Sequence, residues 1–127
     1  MRKLLGLALS LLTIPLAHGY NLTEDFNKGF YWASLPLSML VVDTDASRMQ
    51  MMRTMADNAV NTWQNVVATN LWSLGSQQTA SASGRNIIRW SNNFARETGL
   101  DPGSVLAVTI RYVNGPYIAK AEIVING

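Results

Sequence analysis

The chain contains no cysteine, and its single histidine, His18, lies close to the N-terminus. Without cysteine no disulfide can form, so either packing within this chain or additional chain must hold the fold together. Protein zinc sites draw on cysteine, histidine and carboxylate ligands, and serine or cysteine triads use a histidine base. If His18 is removed with a signal peptide, the remaining chain can build neither a histidine or cysteine metal site nor a histidine-dependent triad.

Charge is also scarce. Charged residues make up 14% of the chain, with ten Lys and Arg against eight Asp and Glu. Arg2 and Lys3 fall within the predicted signal peptide, and subtracting these two from ten leaves eight basic residues against eight acidic ones. Proteins that bind nucleic acid keep a basic face or stripe. The balanced and scattered charges therefore predict no nucleic-acid partner.

The N-terminus has the pattern of a secretory signal peptide. Arg2 and Lys3 precede the apolar run Leu4–Leu12, which is shorter than the roughly 20 residues that cross a bilayer. Small residues then stand three and one positions before the bond between Gly19 and Tyr20, where we predict cleavage. The first nineteen residues are thus predicted to be a signal peptide, and the protein is expected to be secreted or periplasmic.

The remainder, residues 20–127, is long enough to form a single domain with its own core. It has no apolar segment long enough to cross a membrane, so we expect no membrane span in the mature chain. Its first segment, Tyr20–Ser34, carries the rings of Phe26, Phe30, Tyr31 and Trp32. We expect this segment to be an ordered arm that packs its aromatic side chains against the domain.

Hydrophobic periodicity predicts the elements that follow. Leu37–Val42 reads as a buried strand, and a helical pattern runs from Ser47 to about Asn70. The apolar stripe of this helix is predicted to comprise Met52, Met55, Ala56, Ala59, Val60, Trp63, Val66 and Val67. The Ser-, Gln- and Gly-rich segment Leu74–Arg85 predicts a mobile surface loop. Ile87–Trp90 predicts a second strand, and Asn92–Gly99 predicts two helical turns.

The C-terminal part predicts a β-hairpin. Val105–Val113 and Tyr117–Ile125 alternate around Asn114-Gly115, a strong hairpin signal. A two-residue loop pairs Val108 with Ala121, whereas a four-residue loop pairs Val108 with Ile123. The longer loop is favoured because Pro116 has no N–H.

Both registers predict the same two faces, because a shift of two residues preserves sidedness. The apolar face is predicted to hold Leu106, Val108, Ile110, Ala119, Ala121 and Ile123, and the other face Thr109, Arg111, Lys120 and Glu122. The fold is therefore predicted to be α+β, with a long helix packed on a twisted mixed β-sheet that ends in a β-hairpin.

Two pairs of acids and one group of methionines are candidates for chemistry. Asp43 and Asp45 could bind a hard cation, but calcium takes six to eight oxygens, and helix capping explains the pair better. Glu97 and Glu122 could form a glycosidase pair, although nothing in their context singles them out. The methionines 49, 51, 52 and 55 could bind a soft metal, and core packing is the favoured interpretation.

One stretch carries a family resemblance. Val105-Leu106-Ala107-Val108-Thr109, then Gly115, then Ile118-Ala119-Lys120-Ala121-Glu122-Ile123-Val124-Ile125-Asn126 resembles the LAvT…G.I..ADI.iN stretch of secreted bacterial zinc metallopeptidases of the matrixin-like, metzincin group. The preceding order of strand, long helix, variable loop and short strand is also similar, so that the resemblance covers roughly residues 30–127. Glu122 stands where the family usually has Asp.

The resemblance implies the N-terminal scaffold of a secreted zinc-dependent endopeptidase. In that family a zinc helix bearing HExxHxxGxxH follows this stretch and covers part of the sheet, and no such motif occurs in these 127 residues. The chain is therefore expected to be an incomplete and inactive part of the catalytic domain, with no catalytic residue, no metal ligand and no cofactor of its own. Zinc and a protein or peptide substrate are expected for the full-length family member. The resemblance also implies an edge strand that pairs with substrate, which nominates Ala107, Val108 and Thr109 as substrate-binding residues.

Two other functions remain open from the sequence. One is a complete small exported α+β binding or inhibitor module, with a long helix on an antiparallel sheet. The other is a surface protein that oligomerises by pairing its exposed hairpin edge with copies of itself.

Overall fold

The computed structural model describes residues 29–67 and 69–127. The predicted signal peptide, its cleavage site at Gly19 and Tyr20, and the first part of the predicted arm lie outside these residues. The elements are β1 (Leu37–Val42), α1 (Ala46–Gln64), β2 (Trp72–Gln77), β3 (Asn86–Ser91), α2 (Phe94–Thr98), β4 (Ala107–Asn114) and β5 (Tyr117–Asn126).

The strands form one mixed sheet in the order β2-β1-β3-β5-β4. β1 is parallel to β2 and β3, β3 is parallel to β5, and β4 is antiparallel to β5. The predicted α+β class, with one main helix, a mixed sheet and a C-terminal hairpin, is therefore confirmed. Within the described ranges, every helix is too short or too polar to span a bilayer.

The core lies between the first strand and the start of the long helix. Val41 is fully buried, and with Met39 and Ile88 it packs against Met52 of α1. α1 begins at this point because Asp45 caps it, its carboxylate accepting the backbone N–H of Arg48 at 2.8 Å. The predicted strand Leu37–Val42 is confirmed residue for residue.

The predicted helical stripe is wrong over its second half. α1 ends at Gln64 rather than near Asn70, and Met52 is its one fully buried side chain. Met55, Trp63, Val66 and Val67 are all exposed. The reason is geometric, because α1 contacts mainly β1 and β2, and its buried contact is made at Met52, near the start of the helix.

The predicted mobile loop from Leu74 to Arg85 is also wrong in its first part. β2 occupies Trp72–Gln77 and pairs in parallel with β1 along six residues. Trp72 and Leu74 pack against the core, while Ser73 and Gly75 point to the opposite face. Small residues such as these suit a sheet edge, but they are also typical of loops, which is why the sequence predicts a loop here.

The predicted faces of the hairpin are also wrong for β4. The four-residue-loop register is found at the turn, where Val113 pairs with Ile118, but a β-bulge between Tyr112 and Val113 shifts the remainder by one residue. Val108 therefore pairs with Val124, and Thr109 pairs with Ile123. A one-residue shift exchanges the two faces of a strand, so Thr109 lies on the face of α1 and Val108 lies on the opposite face.

The shorter predicted elements agree with the structure. β3 contains the predicted Ile87–Trp90, and α2 forms within Asn92–Gly99. Gly99 closes α2 with a left-handed φ of 73°, a conformation that favours glycine. In the predicted arm, Tyr31 forms an isolated parallel bridge with Tyr117 at the start of β5.

The buried methionine offers a test of the core. Met52→Ala is expected to lower the free energy of unfolding by about 3 kcal/mol, because it leaves a cavity against Val41 and Ile88. Met55→Ala, three residues along the same helix and 58% exposed, is the matched control and should change it by less than about 0.5 kcal/mol. Urea unfolding followed by circular dichroism measures both, and equal losses would contradict this packing.

Candidate functional site

An apolar hollow lies beside α1 on the sheet face that this helix only partly covers. It consists of two neighbouring cavities of about 250 and 190 Å³, whose linings share Met39, Trp72 and Ile123. We call this surface the trough. Its apolar lining comprises Trp32, Leu37, Met39, Ala56, Ala59, Val60, Trp63, Trp72, Leu74, Ile88, Ile118, Ala121 and Ile123.

The trough exists because α1 lies over one side of the sheet. The β5 side chains that point to this face, Ala121 and Ile123, line the hollow, Ala121 being buried and Ile123 half-buried. On the opposite wall, the indole of Trp63 belongs to α1 and is 62% exposed. The lining residues Leu37, Met39 and Ala121 are buried, so the exposed apolar surface of the trough is concentrated at Trp63. An apolar hollow of this kind is a candidate binding site.

β4 forms one edge of the sheet and borders the trough. The backbone N–H of Asn126 donates to the carbonyl of Leu106 at 2.9 Å, so Leu106 and Asn126 form a hydrogen-bonded pair. Such pairs alternate along an antiparallel ladder. The backbone groups of Val108 therefore face β5, and those of Ala107 and Thr109 face outward from the sheet.

The three residues nominated for substrate contact thus differ in position. Ala107 and Thr109 direct backbone groups to the open edge, and the Thr109 side chain also lines the trough. Val108 directs its backbone to β5 and its side chain to the face away from α1. Sequence alone placed Thr109 on the wrong face, because the bulge that decides its orientation leaves no clear residue signature.

A polar cleft of about 260 Å³ lies where β1 and β3 end. The buried Asp43 carboxylate binds Arg48 there, with Nε and Nη2 donating at 2.6 and 2.7 Å. This bond is the main reason why the pKa of Asp43 lies below its usual value. The guanidinium group also lies 5.7 Å from the ring centre of Trp90.

These contacts decide between the two interpretations of Asp43 and Asp45. Asp45 caps α1, as the favoured interpretation expected, and Asp43 is paired with an arginine. A cation at Asp43 would compete with the guanidinium group for both carboxylate oxygens. The pair therefore anchors the start of α1 against the ends of the strands.

Glu97 and Glu122 are brought together by one arginine. Arg89 donates from Nε to Glu122 at 2.6 Å and from Nη1 to Glu97 at 2.5 Å. The hydrogen bond from Arg89 holds the pKa of Glu97 below its usual value. A glycosidase acid needs a raised pKa so that it is protonated before the reaction. The arrangement is that of an ion-pair network on the face opposite α1.

The zinc that the family resemblance implies does not fit the residues described. Across residues 29–67 and 69–127, no three His, Cys, Asp or Glu side chains lie close enough together to hold a metal ion. The acids in the polar cleft are occupied by Arg48 and Arg89. Metal ligands for such a site would have to come from outside the described part of the chain.

Comparisons with protein-family models, with curated proteins and with solved structures gave no match to this chain. Sequence reasoning also missed Trp72 and Leu74 as trough residues, since their strand resembled a loop. The alternation of these two large apolar side chains with Ser73 and Gly75 is the signal that could have found them.

The Asp43–Arg48 pair predicts a pH-dependent contribution to stability. A carboxylate whose pKa is lowered by folding stabilises the protein above its unfolded pKa, near 3.8, and this stabilisation is lost as the pH falls through the lower folded value. Asp43→Asn should therefore be clearly less stable than the unmodified protein at pH 7, and the difference should shrink below about pH 4.

Thermal unfolding measured from pH 7 to pH 2.5 tests this expectation. Asp57→Asn is the matched control, because Asp57 pairs with Arg53 on the exposed side of the same helix at 2.8 Å. An exposed pair of this type contributes little, so its variant should follow the unmodified protein closely. A difference for Asp43→Asn that stays constant across this range would contradict the assignment.

Proposed function

We propose that this chain is the N-terminal scaffold of a secreted zinc-dependent endopeptidase resembling the matrixin-like group. The zinc-binding helix is not among its residues, so the chain as printed is inactive. The observation that carries the proposal is the trough, an apolar hollow next to α1 with the exposed indole of Trp63 on its wall. The resemblance implies a helix that covers part of the sheet.

The chemistry of the trough suits a helix packed alongside α1. Helices pack at interaxial distances of 8 to 10 Å through apolar side chains. The trough offers such side chains from both neighbours, with Trp63 projecting from α1 and Ile123 from the sheet. A helix lying there would bury Trp63, which is otherwise exposed on a face rich in alanine and valine.

The open edge of β4 supports the same proposal. An extended peptide can add a strand to an exposed sheet edge through backbone hydrogen bonds. Ala107 and Thr109 direct their backbone groups outward, and Thr109 also reaches the trough. A peptide on this edge would therefore lie beside a helix seated in the trough, and the substrate and the zinc-bearing segment would be adjacent.

In this proposal the described residues bind and orient, and they take no part in the chemical step. The edge of β4 would align the peptide backbone, and the trough would position the helix. The ion pair of Asp43 with Arg48 joins the end of β1 to the start of α1, and the ion pair of Arg89 with Glu122 joins β3 to β5.

The coding DNA that follows the codon for Gly127 gives the first test. The proposal expects an HExxHxxGxxH motif within a few tens of codons, in one of the three frames. A protein extended to include it should bind zinc and cleave unfolded casein, and replacing the motif's glutamate should abolish cleavage. If no frame contains the motif, the proposal fails, and a small exported binding or inhibitor module becomes the better explanation. The largely parallel sheet already differs from the antiparallel sheet expected for that module.

Trp63 gives a test that does not depend on activity. In the chain as printed, Trp63→Ala should cost less than about 1 kcal/mol, because the side chain is 62% exposed. In the extended protein the same change should cost about 3 to 5 kcal/mol, since a helix in the trough would bury the indole.

Chemical denaturation of both forms measures the difference. Val66→Ala is the control, because Val66 is 75% exposed and does not line the trough. Equal costs of Trp63→Ala in the two forms would show that the trough stays open.

A further inference from the structure

We infer that two copies of this chain associate by pairing their β4 strands antiparallel about a two-fold axis at Thr109. The inference goes beyond the proposed scaffold function and does not depend on it. It rests on the exposed edge of β4 and on the pattern of side chains along that edge.

The edge is unusually rich in exposed apolar side chains. Leu106 is 85% exposed and Tyr112 is 41% exposed, and both lie on the face away from α1. Val108 and Ile110 lie between them on the same face and are partly exposed. Natural edge strands are usually protected by several charges, prolines or a covering element. The only charged residue of β4 is Arg111.

One register matches this pattern. With Thr109 opposite Thr109 of the second copy, Val108 lies opposite Ile110 and Leu106 lies opposite Tyr112. All four apolar side chains of the face then meet an apolar partner. If the register is shifted by two residues in one direction, Tyr112 lies opposite Ser104. If it is shifted in the other direction, Leu106 lies opposite Asn114.

The other face of β4 is compatible with the same register. Arg111 lies opposite Ala107 of the second copy, and the threonines face each other on the axis. A register centred on Arg111 would instead place two guanidinium groups opposite each other, which is unfavourable. The side-chain pattern therefore favours the register centred on Thr109, and the charge disfavours the one centred on Arg111.

The opposite edge of the sheet, formed by β2, offers much less apolar surface for strand pairing. β2 carries Ser73, Gly75, Ser76 and Gln77, which would contribute little apolar contact to a paired strand. Its two large side chains, Trp72 and Leu74, are already packed against the core of their own copy. Association is therefore expected through β4.

Engineered cysteines give a direct test, because the chain has no cysteine of its own. In the inferred register the Cα atoms of the two Thr109 residues lie about 5.5 Å apart, within disulfide range. Thr109→Cys should therefore form a covalent dimer under mild oxidation. Val113→Cys is the control. Val113 is exposed on the same strand, but in the inferred register the two Val113 residues of the dimer lie about 27 Å apart.

Charge exchange at the same position tests the register without a covalent bond. Thr109→Lys and Thr109→Glu should each weaken the dimer about fivefold in sedimentation equilibrium, because like charges would meet on the axis. An equimolar mixture of the two should restore association, which a folding defect could not do. Circular dichroism confirms that each variant is folded.

Several results would overturn the inference. The unmodified protein could sediment as a monomer at 100 µM, or Val113→Cys could cross-link as fast as Thr109→Cys. The mixture of the lysine and glutamate variants could also remain as weakly associated as each alone. None of these measurements involves zinc or peptide cleavage, so failure of this inference can be distinguished from failure of the proposed function.

Discussion

The packing of β1 against the start of α1 is the contact on which the other elements depend. Val41 is fully buried, and Met39 and Met52 close around it. β2 and β3 take their places as the two parallel neighbours of β1, and β5 and β4 extend the sheet from β3. The pair between Asp43 and Arg48 fixes the angle at which the chain leaves β1 and enters α1. This contact determines which part of the sheet face α1 covers and which part of the same face it leaves uncovered.

Two adjoining surfaces with different chemistry, the trough and the edge of β4, lie beside α1. The trough offers apolar side chains and suits a helix, whereas the edge of β4 offers backbone groups and suits an extended strand. Thr109 contributes to both, through its side chain and its backbone. A strand bound at this edge would occupy the same backbone groups whether it came from a substrate or from a second copy. The proposed self-association and the proposed peptide binding at β4 would therefore exclude each other.

Sequence patterns predicted the elements with strong periodicity and failed where tertiary contacts decide. β1 and the hairpin strands were found because apolar residues recur along them, and Asp45 was identified as a helix cap. β2 was missed because its outer face carries Ser73 and Gly75, and the stripe of α1 was extended too far because no pattern shows which part of a sheet lacks a partner. The candidate edge residues were correctly placed on one strand. Their orientation was wrong because it depends on one bulge.

The bulge in the hairpin decides which side chains of β4 face α1. Its extra residue is Ala119 of β5, which has no partner on β4. Because β3 holds the second half of β5 in register, uninterrupted pairing from the turn onward would set Thr109 opposite Glu122. Val108 and Ile110 would then enter the face of α1, and Thr109 would leave it. A deletion of Ala119 would keep the present faces, whereas a slip of β4 by one residue would exchange the character of two surfaces with no change in the sequence.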